Sequence, residues 1–217
     1  MKLLSFDVGI YNLAVCLVDV TDDIKIEFWK DINILSGKEI CSTKGCKRVA
    51  THTKDDKFYC IKCKTTLFPK QRLSSVKTAM NTSIEKIASL LYATLNTELQ
   101  NLEYDKVLIE NQPTKNIKMK NISMLLLGYF AIKNKDVEFI NATKKMQETL
   151  FKLPNNYSNR KKASKITVKS MLGTSDWALY FKCSKKQDDL SDCLLQAIWW
   201  IHNKISQELK INPNNES

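Results

Sequence analysis

Near the amino terminus, apolar residues gather in three short runs: 3–8 (LLSFDV), 13–20 (LAVCLVDV) and 24–29 (IKIEFW). Each is rich in Val, Ile, Leu and Phe, and turn-forming GIYN and TDD separate them, which predicts three consecutive β-strands. Between residues 74 and 99 the spacing becomes helical, with Val76, Met80, Ile84, Ile87, Leu90, Leu91 and Leu95 recurring on one side. That pattern predicts a single long amphipathic helix. Residues 106–110 (KVLIE) read as a strand buried on both faces, as parallel strands are. A helix over 124–132, a short strand over 137–140 and a basic, partly irregular stretch over 143–186 follow. The last element, over 189–208, carries Leu190, Cys193, Leu194, Ala197, Ile198, Ile201 and Ile205 on one apolar side. The tail INPNNES is expected to fray. With no internal repeat, the elements predict one α/β domain with helices on both faces of a mixed sheet.

A length of 217 residues with 43% hydrophobic content suits one compact domain with an elaboration, and argues against disorder throughout. No apolar run approaches the roughly 18 residues of a membrane-spanning helix. The start, Met1 to Val8, enters a strand-like segment directly, with the layout of neither a signal peptide nor a transit peptide, so an intracellular protein with no membrane partner is expected. Lys and Arg number 34 against 23 acids, a formal charge of +11. Such an excess favours a polyanion through counterion release, and nucleic acid is the leading partner, beside the alternative of a merely soluble basic protein. The charge is uneven. Residues 115–135 hold five lysines and no acid, and residues 144–186 hold eleven basic residues against Glu148 and Asp176. A DNA lying over this surface would make mostly phosphate contacts.

Four carboxylates stand out from this basic background. Asp7 lies near the end of the first strand in DVGIYN, and Glu110 ends the buried strand KVLIE. A charge inside an apolar strand is costly unless paired or bound to a cation, and the carboxyl ends of parallel strands are where active sites form. Asp189 and Asp192, in QDDLSDCLLQ, are three apart and share one face of a helix. Carboxylates brought together repel unless divalent cations neutralise them. Mg²⁺ fits, as a hard ion that prefers carboxylate, water and phosphate oxygens. Two such ions, with Mn²⁺ as a substitute, support hydrolysis of a phosphodiester. Singly, each acid also reads as a turn residue, a strand-end charge or, for Asp188 or Asp189, a helix N-cap.

Seven cysteines include Cys41, Cys46, Cys60 and Cys63, spaced C-x4-C and C-x2-C with thirteen residues between. In a reducing compartment this pattern predicts a structural four-cysteine Zn²⁺ site in an insertion over 40–66, with free thiols or His52 as a replacement ligand as alternatives. So small an insertion takes its folding energy from the metal. Its Lys44, Lys47, Arg48, Lys54, Lys57, Lys62 and Lys64 could touch DNA arms or a partner, the target being open. Cys16, Cys183 and Cys193 read as ordinary thiols.

The blocks FDVGIYNLA (6–14), VLIENQP (107–113), NRKKASKITVKSML (159–172) and KQDDLSDCLLQAIWW (186–200) resemble the RuvC-like Holliday junction resolvases, in the branch of poxviruses, related large DNA viruses and fungal mitochondria. The resemblance implies a ribonuclease H-like fold over residues 1–217. It implies Asp7, Glu110, Asp189 and Asp192 as metal ligands, and Lys161 as the basic catalytic residue with Lys162 beside it. Asp188 matches a less central Asp of the pattern. Also implied is a homodimer that nicks a four-way DNA junction symmetrically, in recombination or in resolving replicated viral concatemers, in the host cytoplasm if the chain is viral. The cysteine insertion departs from that branch. Rival readings are a transposon-type RNA-guided RuvC-like nuclease, whose cysteines fall later in the chain; a sugar kinase or actin-like ATPase, which needs more glycine-rich loops than five glycines provide; and a binding-only junction protein.

Overall fold

The computed structural model of the chain describes residues 1–9, 11–21, 23–35, 39–76, 82–144 and 157–211. Three antiparallel strands open it: β1 (Lys2–Asp7), β2 (Leu13–Asp19) and β3 (Lys25–Ile32). Two more, β7 (Lys106–Asn111) and β8 (Asp136–Asn141), add in parallel to β1, giving the order β3-β2-β1-β7-β8. Between β3 and β7 lie a second sheet of β4 (His52–Lys54), β5 (Lys57–Tyr59) and β6 (Ser74–Ser75), the short helix α1 (Ile61–Leu67), and helix α2 (Ile84–Glu98). Helix α3 (Ile117–Ile132) links β7 to β8, and α4 (Tyr157–Leu172), α5 (Asp176–Cys183) and α6 (Gln187–Ile211) close the chain.

Strand alternation divides the core into two layers. Leu4 and Phe6 of β1, Val15 and Leu17 of β2, and Val107 and Ile109 of β7 pack against α2 and α3. Leu3, Ala14, Cys16 and Leu108 point the opposite way, against α4, α5 and α6. Trp29 stacks on Phe181 with centroids 5.3 Å apart, tying β3 to α5. The expected mixed sheet with helices on both faces is what forms, and no helix among the described residues is long and apolar enough to cross a membrane.

Several element boundaries differ from the sequence expectations. The helix expected over 74–99 begins only after Ser83, whose side chain accepts from Lys86 N. Ser74 and Ser75 pair with β4 instead, and Met80 lies outside the described residues. Helix α3 starts seven residues before the expected 124, because the Asn116 side chain caps it by accepting from Met119 N. Within the stretch expected to be partly irregular, 157–172 and 176–183 are helical, while 145–156 lies outside the described residues. The buried face of α4 explains the difference: Ala163, Ser164, Thr167 and Val168 are small or hydroxylated, so an apolar count does not register it.

Candidate active site

The parallel register brings two acids to one place. Phe6 is level with Ile109, so Asp7 and Glu110 are the next residues on adjacent strands, both at carboxyl ends. Each lies two positions from a residue of the α6 layer, Ser5 in β1 and Leu108 in β7, so both belong to that face. The turn after Asp7 depends on Gly9, since a Cβ there would meet Asn12 O at 2.2 Å.

Helix α6 supplies the facing acids. Its first turns carry Asp188, Asp189 and Asp192, and its packing against β1 is fixed by buried polar contacts. Ser5 Oγ donates to Cys193 O at 2.8 Å, and Gln196 Nε2 donates to Ser5 Oγ at 3.0 Å and Phe6 O at 3.3 Å. Trp29 Nε1 donates to Leu190 O at 3.1 Å, adding a tie to β3. These bonds set the depth and rotation of α6 relative to Asp7.

Asp7, Glu110, Asp189, Asp192 and Lys161 all line one cavity of about 370 Å³, joined by Gln112, Arg160 and Ser164. Gln112 Nε2 donates to Glu110 Oε2 at 2.8 Å, orienting a carboxylate that is only 8% exposed. Lys161 reaches from α4 to pair with Asp188, and stands 4.0 Å from Asp189 Oδ1. Lys162, its neighbour, is exposed and does not line the cavity. Burial would push the Asp188 carboxyl up, but the hydrogen bond and charge of Lys161 outweigh it and hold it below the usual range. For Asp189, burial dominates and, with repulsion from Asp188, pushes the carboxyl up against Lys186 and Lys161.

Two features escape a reading of the sequence. Arg160 lines the cavity from the same helix as Lys161. Asp31 pairs in register with Ala14, which pairs with Asp7, so a third strand carries an acid at the same level. Burial, against Lys186, pushes the Asp31 carboxyl up, and its Oδ1 is buried with no hydrogen-bond partner among the described residues. In sequence Asp31 looks like a strand-end charge in FWKDI, and only the register aligns it with Asp7.

The donors differ in how closely they converge. Among the described residues, Cys41, Cys46, Cys60 and Cys63 are the one group of three or more His, Cys, Asp or Glu drawn to ligand separation, with Sγ atoms within 4.8 Å of one another. Zn–S bonds of about 2.3 Å at a tetrahedral ion place sulfurs roughly 3.8 Å apart, and Cys46 Sγ stands 3.8 Å from Cys60 Sγ. The set therefore fits Zn²⁺. His52 is outside it, with Nδ1 2.8 Å from Thr51 Oγ1. Burial would raise the Cys41 thiol, but hydrogen bonds from Thr43 and from the backbone of Cys60 bring it to about 6. The four carboxylates share a cavity, less closely drawn together than the thiols. Their hard oxygens, with space between them, fit Mg²⁺ bound partly through water.

No protein-family model matches the chain, and no curated protein matches it in sequence. Solved structures do match its fold. The fowlpox virus resolvase, solved with its substrate Holliday junction DNA, is 17% identical with a TM-score of 0.56, over 94% of this chain and 98% of that one. The yeast mitochondrial Holliday junction resolvase is 16% identical with a TM-score of 0.53, over 98% of this chain and 83% of that one. Thermus thermophilus RuvC, solved with a Holliday junction substrate, is 13% identical with a TM-score of 0.52, over 92% of each chain. The chain thus has the ribonuclease H-like fold of the RuvC-like Holliday junction resolvases.

Proposed function

We propose that the protein is a Mg²⁺-dependent endonuclease that resolves four-way DNA junctions by symmetric nicking, acting as a homodimer. The observation that carries the reading is the convergence of Asp7, Glu110, Asp189, Asp192 and Lys161, from four separate elements, on one cavity at the carboxyl end of the parallel strands. Asp7, Glu110, Asp189 and Asp192 would hold two divalent ions, Mg²⁺ or Mn²⁺, which when bound activate water and stabilise the leaving oxygen of a phosphodiester. Gln112 orients Glu110. Asp188 keeps Lys161 at the cavity wall, where its ammonium and the Arg160 guanidinium favour a phosphate group. The formal charge of +11 supports a DNA partner in the same direction.

The four-cysteine segment is a structural Zn²⁺ insertion, residues 40–66, in a nuclease domain spanning 1–217. In a viral setting the enzyme would act on replicated genomes in the host cytoplasm.

Cleavage of an end-labelled four-way junction in Mg²⁺, beside linear duplex and an EDTA control, tests the function. Paired symmetric nicks in the junction alone are expected. Asp7→Asn is expected to cut at least about 100-fold more slowly, the upper end of losses seen even for outer-shell metal partners, with junction affinity retained. Unaltered cutting by that variant would overturn the ligand assignment, and cutting of duplex instead would overturn the substrate.

A further inference from the structure

The structure also assigns a role to the cysteine module. We propose that it is a second phosphate-binding surface, which grips a duplex DNA arm outside the cleavage cavity through Lys44, Arg48 and Lys62. The proposal rests on the reading of the chain as an enzyme of DNA junctions.

Topology provides the first support. Ile32, the last residue of β3, pairs with Leu13, and the next residue of β2, Ala14, pairs with Asp7. The chain therefore leaves the main sheet for the module at the end that carries the acids, two strands away, a lateral distance of about 10 Å. It returns at the same end. Lys118 Nζ, in the first turn of α3, donates to Thr82 O at 2.7 Å just before α2 begins, and α3 itself follows the carboxyl end of β7. The described residues that flank the module, Ile32 before it and Thr82 after it, thus both lie at the sheet end that carries the cavity.

Charge is the second support. Residues 40–76 hold nine lysines and arginines against two carboxylates, Asp55 and Asp56. Four thiolates around one Zn²⁺ leave two negative charges, too few to cancel that excess. A cleft of about 300 Å³ beside the cysteines is lined by Thr43, Lys44, Arg48, Lys62, Cys63 and Thr66. Lys44, Arg48 and Lys62 are exposed. Among the described residues none of these three is ion-paired, whereas Lys2, Lys30, Lys106, Lys161 and Lys186 in the main body all sit against carboxylates. A cleft of uncompensated cations with hydroxyls and no buried aromatic reads backbone phosphate rather than base edges. An acidic protein segment would meet the same charges, but the shared sheet end favours the substrate that the cavity itself acts on.

The test uses the full chain with Lys44→Gln, Arg48→Gln and Lys62→Gln combined, its zinc content measured beside wild type. Affinity for a fluorescent four-way junction and for linear duplex is followed in Mg²⁺-free buffer as salt rises. With about 0.9 units of log–log slope per phosphate contact, the slope should become shallower by about two to three units, and junction affinity should fall at least about tenfold at moderate salt. The single-turnover cleavage rate at saturating protein should stay within about twofold. If the triple variant loses zinc, Lys44→Gln with Lys62→Gln should still flatten the slope by about two units. Unchanged slope and affinity in a zinc-loaded variant would overturn the proposal while leaving the nuclease reading intact. A wild-type protein that binds DNA with this lysine-dependent slope but cuts no junction would overturn the nuclease reading and leave the phosphate surface standing.

Discussion

Asp188 and Asp189 are neighbours with opposite electrostatic fates. The Asp188 carboxyl is held down, burial being outweighed by Lys161, so its contribution to stability is present above the ordinary Asp range and lost as pH falls through the depressed folded value. Burial raises Asp189, so its stabilising contribution is complete below the ordinary Asp range and lost as pH rises through the raised folded value. Above that raised value the ionised Asp189 opposes folding, and a cation bound there, as proposed, would offset that cost. Asp189→Asn should raise Tm in Mg²⁺-free buffer by roughly 2–4 °C, the shift that ~1 kcal/mol produces in a chain of this size, while suppressing cleavage. Differential scanning calorimetry with and without Mg²⁺ checks this, and a fall in Tm would contradict it. Asp7 and Glu110 stand out in the sequence because a charge interrupts an apolar strand there, and Asp189 and Asp192 because their spacing puts both on one helix face. Asp31 and Arg160 do not, since an acid at a strand end and one more cation in a basic stretch look like solvated surface.

Precision at the site depends on how elements are locked together. Helix α6 reaches β1 through Ser5 and Gln196, both buried, and the amide of Gln196 is the donor to Ser5 Oγ and Phe6 O. Gln196→Leu leaves those acceptors without it, at a cost of about 1–3 kcal/mol. Denaturant unfolding should register that loss, and the cleavage rate should fall with junction affinity little changed, because Asp189 and Asp192 ride on the same helix. An unchanged rate would show that the polar lock does not set the site. In the cysteine module the locking agent is chemical. Few residues there are buried, Cys41, Ala50, Cys60 and Leu73 among them, so apolar burial is small and, on the proposed reading, a metal held by the thiols would carry the fold. Cys60 is central: its Sγ accepts from Cys63 N at 3.4 Å and lies against Cys46. Elemental analysis should find one zinc per wild-type chain and none in Cys60→Ala, with the main-domain Tm nearly unmoved. Full zinc retention would rule out the four-thiolate site. The cysteine spacing was legible because metal geometry restricts it, whereas β6 was hidden in a helical pattern because only pairing with β4 makes Ser74 and Ser75 a strand.

For the whole molecule, on the proposed reading the acid-lined cavity of each chain would serve one strand, so symmetric nicking of a junction would require two chains. Light scattering should give twice the 25.0 kDa of a single chain, and mixed dimers carrying one Asp7→Asn subunit should nick only one of the two opposed strands. A monomer that still cuts both strands in register would contradict the dimeric arrangement. The distribution of charge fits the same picture. Acids line the cavity, ion-paired lysines fringe it, and cations with no ion pair among the described residues line the cleft of the module.

The sequence by itself determined the five strands of the main sheet, the helical character of α2, α3 and α6, the two-sided core, and which carboxylates and thiols stand out as candidates. Each is a local pattern: a period of two or near 3.6, a charge in an apolar run, or a ligand spacing. Tertiary structure alone decided what depends on register and packing between distant segments. It aligned Asp31, Asp7 and Glu110 across the sheet, made a helix of the weakly apolar α4, brought Lys161 to Asp188 and recruited Ser75 to β4. Local propensity carries no information about which strand lies beside which, because that choice is set by burial of both faces of the sheet at once.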